Sequence, residues 1–535
     1  MRQRELYVVR SSNTSKRGSL AASLIVAVLL ASGCGSDDTG PAAADEQTEA
    51  RAAGQGGDTP LRDRVLAAPT VGDLLPEPME VIWRTWTGDF SGMVERRVVR
   101  VVVPYGGYQF YYDGGMPRGA VYDLLQVFEE KINDDLERRN VRIYIAVIPV
   151  SREQLVPALL EGHADIIAGD LTLTEARSAL IDFSRPLLKD VNEIVVSGAA
   201  AAGVESIDEL SGREIHVRRS SSYYEHLLRL VDDFNEREVE PPLVQPLDEL
   251  LETEDVLELL DSGVIEMTVL DEYKAEFWTT VFDNLTLHRD VVVSSGGSIG
   301  WAHRKDSPEL AAVIDSFLRE YGRGTLVGND TYNRYLDSAE RVRCSERGIS
   351  NERLAKLAEH FQQYGEQYDF DWLMLAAQGL QESGLRHNRK SPAGAVGIMQ
   401  IKPSTAADRN VGIDDISTPA ANIHAGTKYL RFIADRYFAA DGIDELNQWL
   451  LSLAAYNAGP AKINRYRNEA RREGRDADIW FDNVEIVAAR RIGRETVTYV
   501  SNIFKNYVSY KLMYERAQVF EDRFGELLSA CTADT

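Results

Sequence analysis

The hydrophobic period of this chain changes once, and the change divides it. From residue 97 to about 335, short apolar runs alternate with amphipathic stretches; past about Arg341 every apolar pattern is helical. RVVRVVV (97–103), VRIYIAVIPV (141–150) and ADIIAG (164–169) read as strands, the first a continuous apolar run of the kind buried in a parallel sheet. AVYDLLQVFEEKIND (120–134) and SREQLVPALLEG (151–162) read as helices between them, which predicts right-handed βαβ units. The alternation restarts after IVVSG (194–198), through SIDELSGREIHVRR (206–219), a helix from about Tyr223, LDELLETEDVLELLDSG (247–263) and EMTVLDEYKAEFW (266–278). GGSIGWAHRKDSPELAAVIDSFLREYG (296–322) returns to the first lobe. The expectation is a two-lobed α/β clamshell, with a ligand crevice beyond the carboxyl ends of the strands. An all-α domain follows, with helical spacing over 351–370, 371–383, 421–440, 446–459 and 495–517.

The N-terminus reads as a targeting segment. Arg2, Arg4, Arg10, Lys16 and Arg17 precede an apolar run from about Leu20 to Ala31, with Ser32, Gly33 and Cys34 next. That run is short for a membrane-spanning helix, which needs about 20 apolar residues. Residues 35–59 lack aromatic and branched apolar side chains and read as a tether. The expected layout is a signal peptide over 1–33, a tether over 34–60, a lead-in over 61–94, the clamshell over 95–335 and the helical domain over 336–535. Lobe 1 of the clamshell takes about 95–195 and 291–335, lobe 2 about 196–290. Lys+Arg number 59 against 84 Asp+Glu, a net charge of −25 that argues against nucleic acid or anionic lipid as a main partner. Cys344 and Cys531 bracket the helical domain and are either a bridge or two free thiols. No zinc, EF-hand, P-loop or GxGxxG pattern is present, so no metal or other cofactor is expected.

Glu382 ends an apolar helix that includes Trp372, Leu373, Met374, Leu375, Ala376, Ala377 and Leu380. An apolar pocket disfavours a carboxylate anion and keeps the acid protonated near neutral pH, which suits proton donation to a glycosidic oxygen. No second acid in a comparable setting follows nearby. Taken alone, one Glu at a helix end is an ordinary ion-paired or solvated residue.

The surrounding motifs are more specific. Glu382-Ser383, Ser391, Gly394-Ala395, Gly397, Ile398-Met399-Gln400, then Ala455-Tyr456-Asn457-Ala458-Gly459, then Glu495-Thr496 and Tyr499-Val500 stand in order. Over about 350–520 the chain resembles the soluble-lytic-transglycosylase family of lysozyme-like domains. The resemblance implies a peptidoglycan lytic transglycosylase in which Glu382 is the general acid and then the base. It implies that Ser391 holds the sugar, that Met399 and Gln400 line the cleft, that Tyr456 and Asn457 position the sugar, and that Tyr499 faces Glu382. Leu385, His387 and Arg389 depart from the family's usual residues there.

GDLTLTEARSALIDFSRP (169–186) and GVESIDELSGREIHVRRSSSYYEHL (203–227) resemble the family-3 solute-binding domains. That resemblance implies that Arg177 grips a ligand carboxylate through a two-pronged pair. It implies that Thr172 touches ligand, that Ser221 and Ser222 sit before a helix N-terminus, that Asp271 binds an amino group and that Tyr108 and Tyr111 cover the ligand. Asp170 stands where amino-acid binders carry Gly. LLASGC (29–34) resembles a lipoprotein signal with Cys34 as the acylated residue, and Gly35 after it points to the outer membrane. Signal, tether, clamshell and helical domain together resemble the membrane-bound lytic transglycosylases whose clamshell senses an amino acid or cell-wall peptide. Two other readings stay open: a binding receptor whose helical domain tethers it to murein, and a muramidase that uses water.

Overall fold

A computed structural model describes residues 84–524 apart from 107, 114–115, 199–200, 202, 283, 337–351 and 440–441. The signal and lipidation readings at Cys34, the tether, most of the lead-in and the thiols Cys344 and Cys531 lie outside the described residues.

The first lobe opens with α1 (Phe90–Arg96) and β1 (Val98–Pro104). The hairpin β2 (Tyr111–Asp113) and β3 (Met116–Arg118) leads into α2 (Ala120–Asp135), then β4 (Tyr144–Val150), α3 (Arg152–Leu160) and β5 (Ile166–Thr172). β1 lies between β4 and β5 and pairs with both in parallel. Val99, Val101, Val102 and Val103 are fully buried there, each worth roughly 1.5–3 kcal/mol in burial. Short α4 (Glu175–Leu180) and β6 (Asp182–Phe183) precede the long strand β7 (Leu188–Ser197).

Lobe 2 holds β8 (Glu214–Arg218), α5 (Ser222–Glu236), β9 (Leu243–Leu247), α6 (Thr253–Asp261), β10 (Met267–Asp271) and α7 (Glu272–Trp278). β11 (Thr286–His303) then runs back to pair antiparallel with both β7 and β5. The expected lobe limits at 195/196 and 290/291 fall inside β7 and β11, so the lobes are joined by continuous paired strand. Register shifts along the β7–β11 ladder, one of them between Ser294 and Gly297, bend the pair. α8 (Pro308–Tyr321) and α9 (Leu326–Leu336) close lobe 1.

The helical domain comprises α10 (Glu352–Tyr368), α11 (Trp372–Ser383), α12 (Pro403–Ala406), α13 (Pro419–Tyr437), α14 (Glu445–Ala458), α15 (Pro460–Arg472), α16 (Glu485–Ile492) and α17 (Arg494–Phe524). α17 packs on α11 and also against β4, the terminal strand of the main sheet. The junction is charged as well as apolar. Arg97 Nη1 and Nη2 donate to Glu485 Oε2 and Oε1 at 2.7 and 2.8 Å. Arg97 Nη1 also reaches Asp482 Oδ1 at 3.0 Å, and Lys505 Nζ donates to Glu129 Oε2 at 2.7 Å. Burial opposes the Arg97 cation, but the Glu485 carboxylate overrides it and holds its pKa above the ordinary range. The clamshell and the helical domain are therefore bound to each other along one side of lobe 1.

Candidate active site

The local sequence places Glu382 at the last turn of α11. Asp371 caps the helix start, its Oδ1 accepting from Leu373 N at 2.9 Å. Gly384 ends it in the left-handed region (φ 64°), a conformation that favours glycine. Between the caps, Leu373, Met374, Leu375, Ala376, Ala377 and Leu380 are buried. Burial raises the Glu382 carboxyl to about 7, while a hydrogen bond from Tyr499 works in the opposite direction. Tyr499 Oη, from α17, donates to Glu382 Oε1 at 2.7 Å. Gln378, one turn back on α11 and fully buried, sends Nε2 toward Tyr499 Oη at 3.4 Å. Burial and the Glu382 charge push the Tyr499 hydroxyl well above its usual range, so it stays protonated and donates.

The 384–402 segment is strapped to this helix. Ser391 Oγ accepts from Ala395 N at 3.0 Å and Ser391 N donates to Ala395 O at 2.9 Å, forming a tight turn. Gly397 (φ 79°) crosses Asn422 so closely that a Cβ there would lie 2.3 Å from Asn422 Nδ2. Asn422, from α13, uses both ends of its amide: Oδ1 accepts from Met399 N at 2.9 Å and Nδ2 donates to Val396 O at 3.0 Å. Gln400 sits in the left-handed region (φ 44°), with Nε2 donating to Gly397 O at 2.7 Å and Arg389 O at 3.1 Å. Met399, expected to line the cleft, has a fully buried side chain against Gly426. Its contribution is the carbonyl, which accepts from Tyr456 Oη at 2.8 Å. Burial pushes the Tyr456 hydroxyl well above its usual range, and the Glu382 charge adds to this. Asn457 Oδ1 accepts from Thr496 Oγ1 at 2.7 Å, tying the end of α14 to the start of α17. Tyr499 thus meets Glu382 directly, and Tyr456 is held by the Met399 carbonyl. Asn422, Gln378 and Gly426 were missed in the sequence because an isolated Asn, Gln or Gly on a helix carries no signal of its partner.

Glu382 opens on a cavity of about 360 Å³ whose far wall belongs to lobe 1. A second cavity of about 430 Å³ adjoins Gln381, Asn457, Glu495 and Tyr499, with Glu130, Arg142 and Tyr144 opposite. Gln381, the neighbour of the acid in sequence, borders both, and each hollow is walled by both domains.

In the interlobe crevice the predicted sensor residues spend their bonds on one another. Arg177 is buried; Nη1 donates to Thr172 O at 2.9 Å and Nη2 crosses the lobes to Ser220 O at 2.8 Å. Ser222 Oγ donates to Glu193 Oε1 at 2.8 Å and lies 3.2 Å from Thr172 Oγ1. Ser221 caps α5, its Oγ accepting from Tyr224 N at 3.2 Å. Asp271 occupies the cap position of α7 without a side-chain cap bond, and its Oδ2 lies 2.7 Å from Lys274 Nζ. Tyr108 donates to Asp170, and Tyr273 Oη from lobe 2 donates to the same Oδ2 at 3.0 Å. Burial opposes the Asp170 anion, but Lys274 and Arg323 outweigh it and hold its pKa below the ordinary range. The Tyr111 ring meets Tyr335 edge-on at 6.1 Å. Among the described residues no cluster of His, Cys, Asp or Glu could hold a metal ion, and no helix is long and apolar enough to cross a membrane.

Two families match these two parts of the chain. "Bacterial extracellular solute-binding proteins, family 3" matches residues 98–334 and "Transglycosylase SLT domain" matches residues 359–479. The chain is thus a family-3 solute-binding domain followed by a transglycosylase SLT domain, and an enzyme of the lytic transglycosylase class. Proteins with this name span most of it. It is 25% identical over 80% of its length to "Membrane-bound lytic murein transglycosylase F 1" of Alkalilimnicola ehrlichii, covering 84% of that protein. It is 26% identical over 80% of its length to "Membrane-bound lytic murein transglycosylase F" of Alteromonas mediterranea, covering 93% of it. Over most of its length the chain is thus similar to proteins named lytic murein transglycosylase F. Among solved structures, an ancestral arginine-binding protein bound to arginine aligns with 44% of this chain and 97% of its own, at 21% identity and a TM-score of 0.37.

Proposed function

We infer that the chain cleaves the MurNAc–GlcNAc β-1,4 bond of peptidoglycan with Glu382 as its single acid and base. Glu382 gives its proton to the glycosidic oxygen as the C1–O bond breaks. The muramic acid 6-hydroxyl then attacks C1 and returns a proton to the Glu382 carboxylate, leaving a 1,6-anhydro end and consuming no water. An internal nucleophile needs no second carboxylate, unlike hydrolysis by a carboxylate pair.

The observation that carries this reading is the isolation of Glu382. It stays protonated up to about pH 7 through burial, and no charged neighbour contributes to that shift. Ser391, Gln400, Tyr456, Asn457 and Tyr499 supply the frame around it, and the relatives named as murein transglycosylases support peptidoglycan as the substrate. Sacculi digested with the wild type and with Glu382→Gln test the reading by product mass. The wild type yields fragments one water lighter than reducing ends. The variant loses roughly 10²–10⁴ in turnover, the usual worth of a positioned proton donor. Full-speed release of anhydro fragments by the variant rules this chemistry out.

The clamshell is a regulatory sensor of an amino acid or cell-wall peptide, held at the periplasmic face of the envelope by an acylated Cys34. A ligand carboxylate would replace the Ser220 carbonyl on Arg177, and its amino group would meet Asp271. Calorimetric titration of the full chain with amino acids and muropeptides checks this; silence toward all of them removes the sensor role.

A further inference from the structure

The cavity beside Glu382 is walled by two domains, and its polar groups are largely unspent. Gln381 on α11, Asn502 and Asn506 on α17, and Gln126 on α2 of lobe 1 all line it. All four side chains are half-buried. None of their carboxamides has a hydrogen-bond partner among the described residues. Tyr122, whose ring meets Phe110 edge-on at 5.9 Å, lines the lobe 1 side. The walls are held in register by the Lys505–Glu129 bond at 2.7 Å and by Ser509 Oγ donating to Val147 O at 3.3 Å.

A carboxamide offers two N–H donors and a carbonyl acceptor, so four of them around 360 Å³ match a ligand rich in amides and hydroxyls. An apolar tail would leave these groups unpaired. Arg386 and Arg389, both exposed, contribute positive charge to the same lining. Gln381 and Glu382 are consecutive, so a ligand in this cavity lies next to the bond being cleaved.

We propose that the Gln126, Gln381, Asn502 and Asn506 carboxamides form a composite subsite, shared between lobe 1 and the helical domain, for the amide-bearing substituents of the glycan strand beside Glu382. The subsite rests on the glycan reading above and adds to it that the clamshell itself holds substrate. Two sources carry this chemistry: the peptide stem and the acetamido groups of the sugars.

Steady-state cleavage by the full chain separates these cases. Wild type, Gln126→Ala, and Gln126→Ala with Asn506→Ala are compared on stem-bearing glycan strands and on strands stripped of stems by an amidase. The subsite predicts that KM rises about threefold for the single variant and about tenfold for the double, with kcat kept, since both positions bind without reacting. A rise confined to stem-bearing strands assigns the site to the peptide; a rise on both assigns it to the acetamido groups. Unchanged KM on both substrates overturns the proposal. So does a gain in kcat or a fall in KM, which would make the lobe 1 wall an obstruction. An unchanged thermal midpoint excludes unfolding, and Gln126→Glu provides a second lobe 1 variant with the same expected rise. Glu382→Gln run alongside keeps the two readings separate: if it retains turnover the chemistry fails, whereas flat KM values with a dead Glu382→Gln sink the subsite alone.

Discussion

Tyr499 Oη donates to Glu382 Oε1 at 2.7 Å, joining two helices across 117 residues of chain. The bond stabilises the anion, so it partly offsets the burial that raises the acid to about 7. Tyr499→Phe therefore raises the Glu382 pKa further. The alkaline limb of the pH–rate profile, where the acid loses its proton, moves to higher pH. The turnover number falls roughly 10–100-fold as the carboxyl loses its fixed position. A limb that stays in place or moves to lower pH removes Tyr499 from the proton inventory.

Glu382 also makes stability depend on pH. Its ordinary value is 4.5 and its folded value about 7, so the folded chain binds the proton more tightly than the unfolded one. The resulting stabilisation is complete below pH 4.5 and is lost as pH rises through 7. Glu382→Gln has no such proton to lose. Relative to wild type it gains about 2–3 kcal/mol on going from pH 4 to pH 8.5. Urea midpoints at the two pH values measure the difference, and parallel pH dependence of the two proteins contradicts the burial account.

The Arg97–Glu485 pair is two-pronged, and its side chains are only 7% and 1% exposed. Removing one partner leaves the other charge buried and unpaired, which costs about 3–5 kcal/mol. Arg97→Met and Glu485→Gln are each strongly destabilising, while the double variant is less so than the sum. A double-mutant cycle by denaturation checks this; additive losses mean that the two groups do not depend on each other.

Gly397→Ala combines a strained φ with a Cβ 2.3 Å from the buried Asn422 amide. The expected cost is about 2–4 kcal/mol. Because Asn422 also holds Met399 N, kcat/KM falls with it, and Gln400 is displaced. A calorimetric midpoint and activity equal to wild type show that this crossing is dispensable.

Much of the architecture is legible in local pattern. The Val-rich run at 98–103 becomes a buried parallel strand because continuous apolarity satisfies a sheet covered on both faces. The helix before Glu382 is bracketed by a capping Asp371 and a left-handed Gly384, both signals that reside in neighbouring residues. The strand pair joining the lobes was less visible. β7 and β11 run as single long strands because distant backbone groups pair across bulges, and no local period records that. Met399 shows the same limit at the scale of one residue: its motif is apparent, but whether it offers a side chain or a carbonyl depends on Gly426, on another helix.

The sequence alone determined the two domain types, the order of the motifs and the acid at the end of an apolar helix, since each depends on residues within a few turns of one another. Only the tertiary structure decided that Met399 offers its carbonyl to Tyr456, that Arg177 is already occupied by carbonyls from both lobes, and that lobe 1 walls the cavity at Glu382. Those are contacts between segments tens to hundreds of residues apart, chosen by packing and by hydrogen bonds that buried groups must satisfy, and no short stretch of chain encodes them alone.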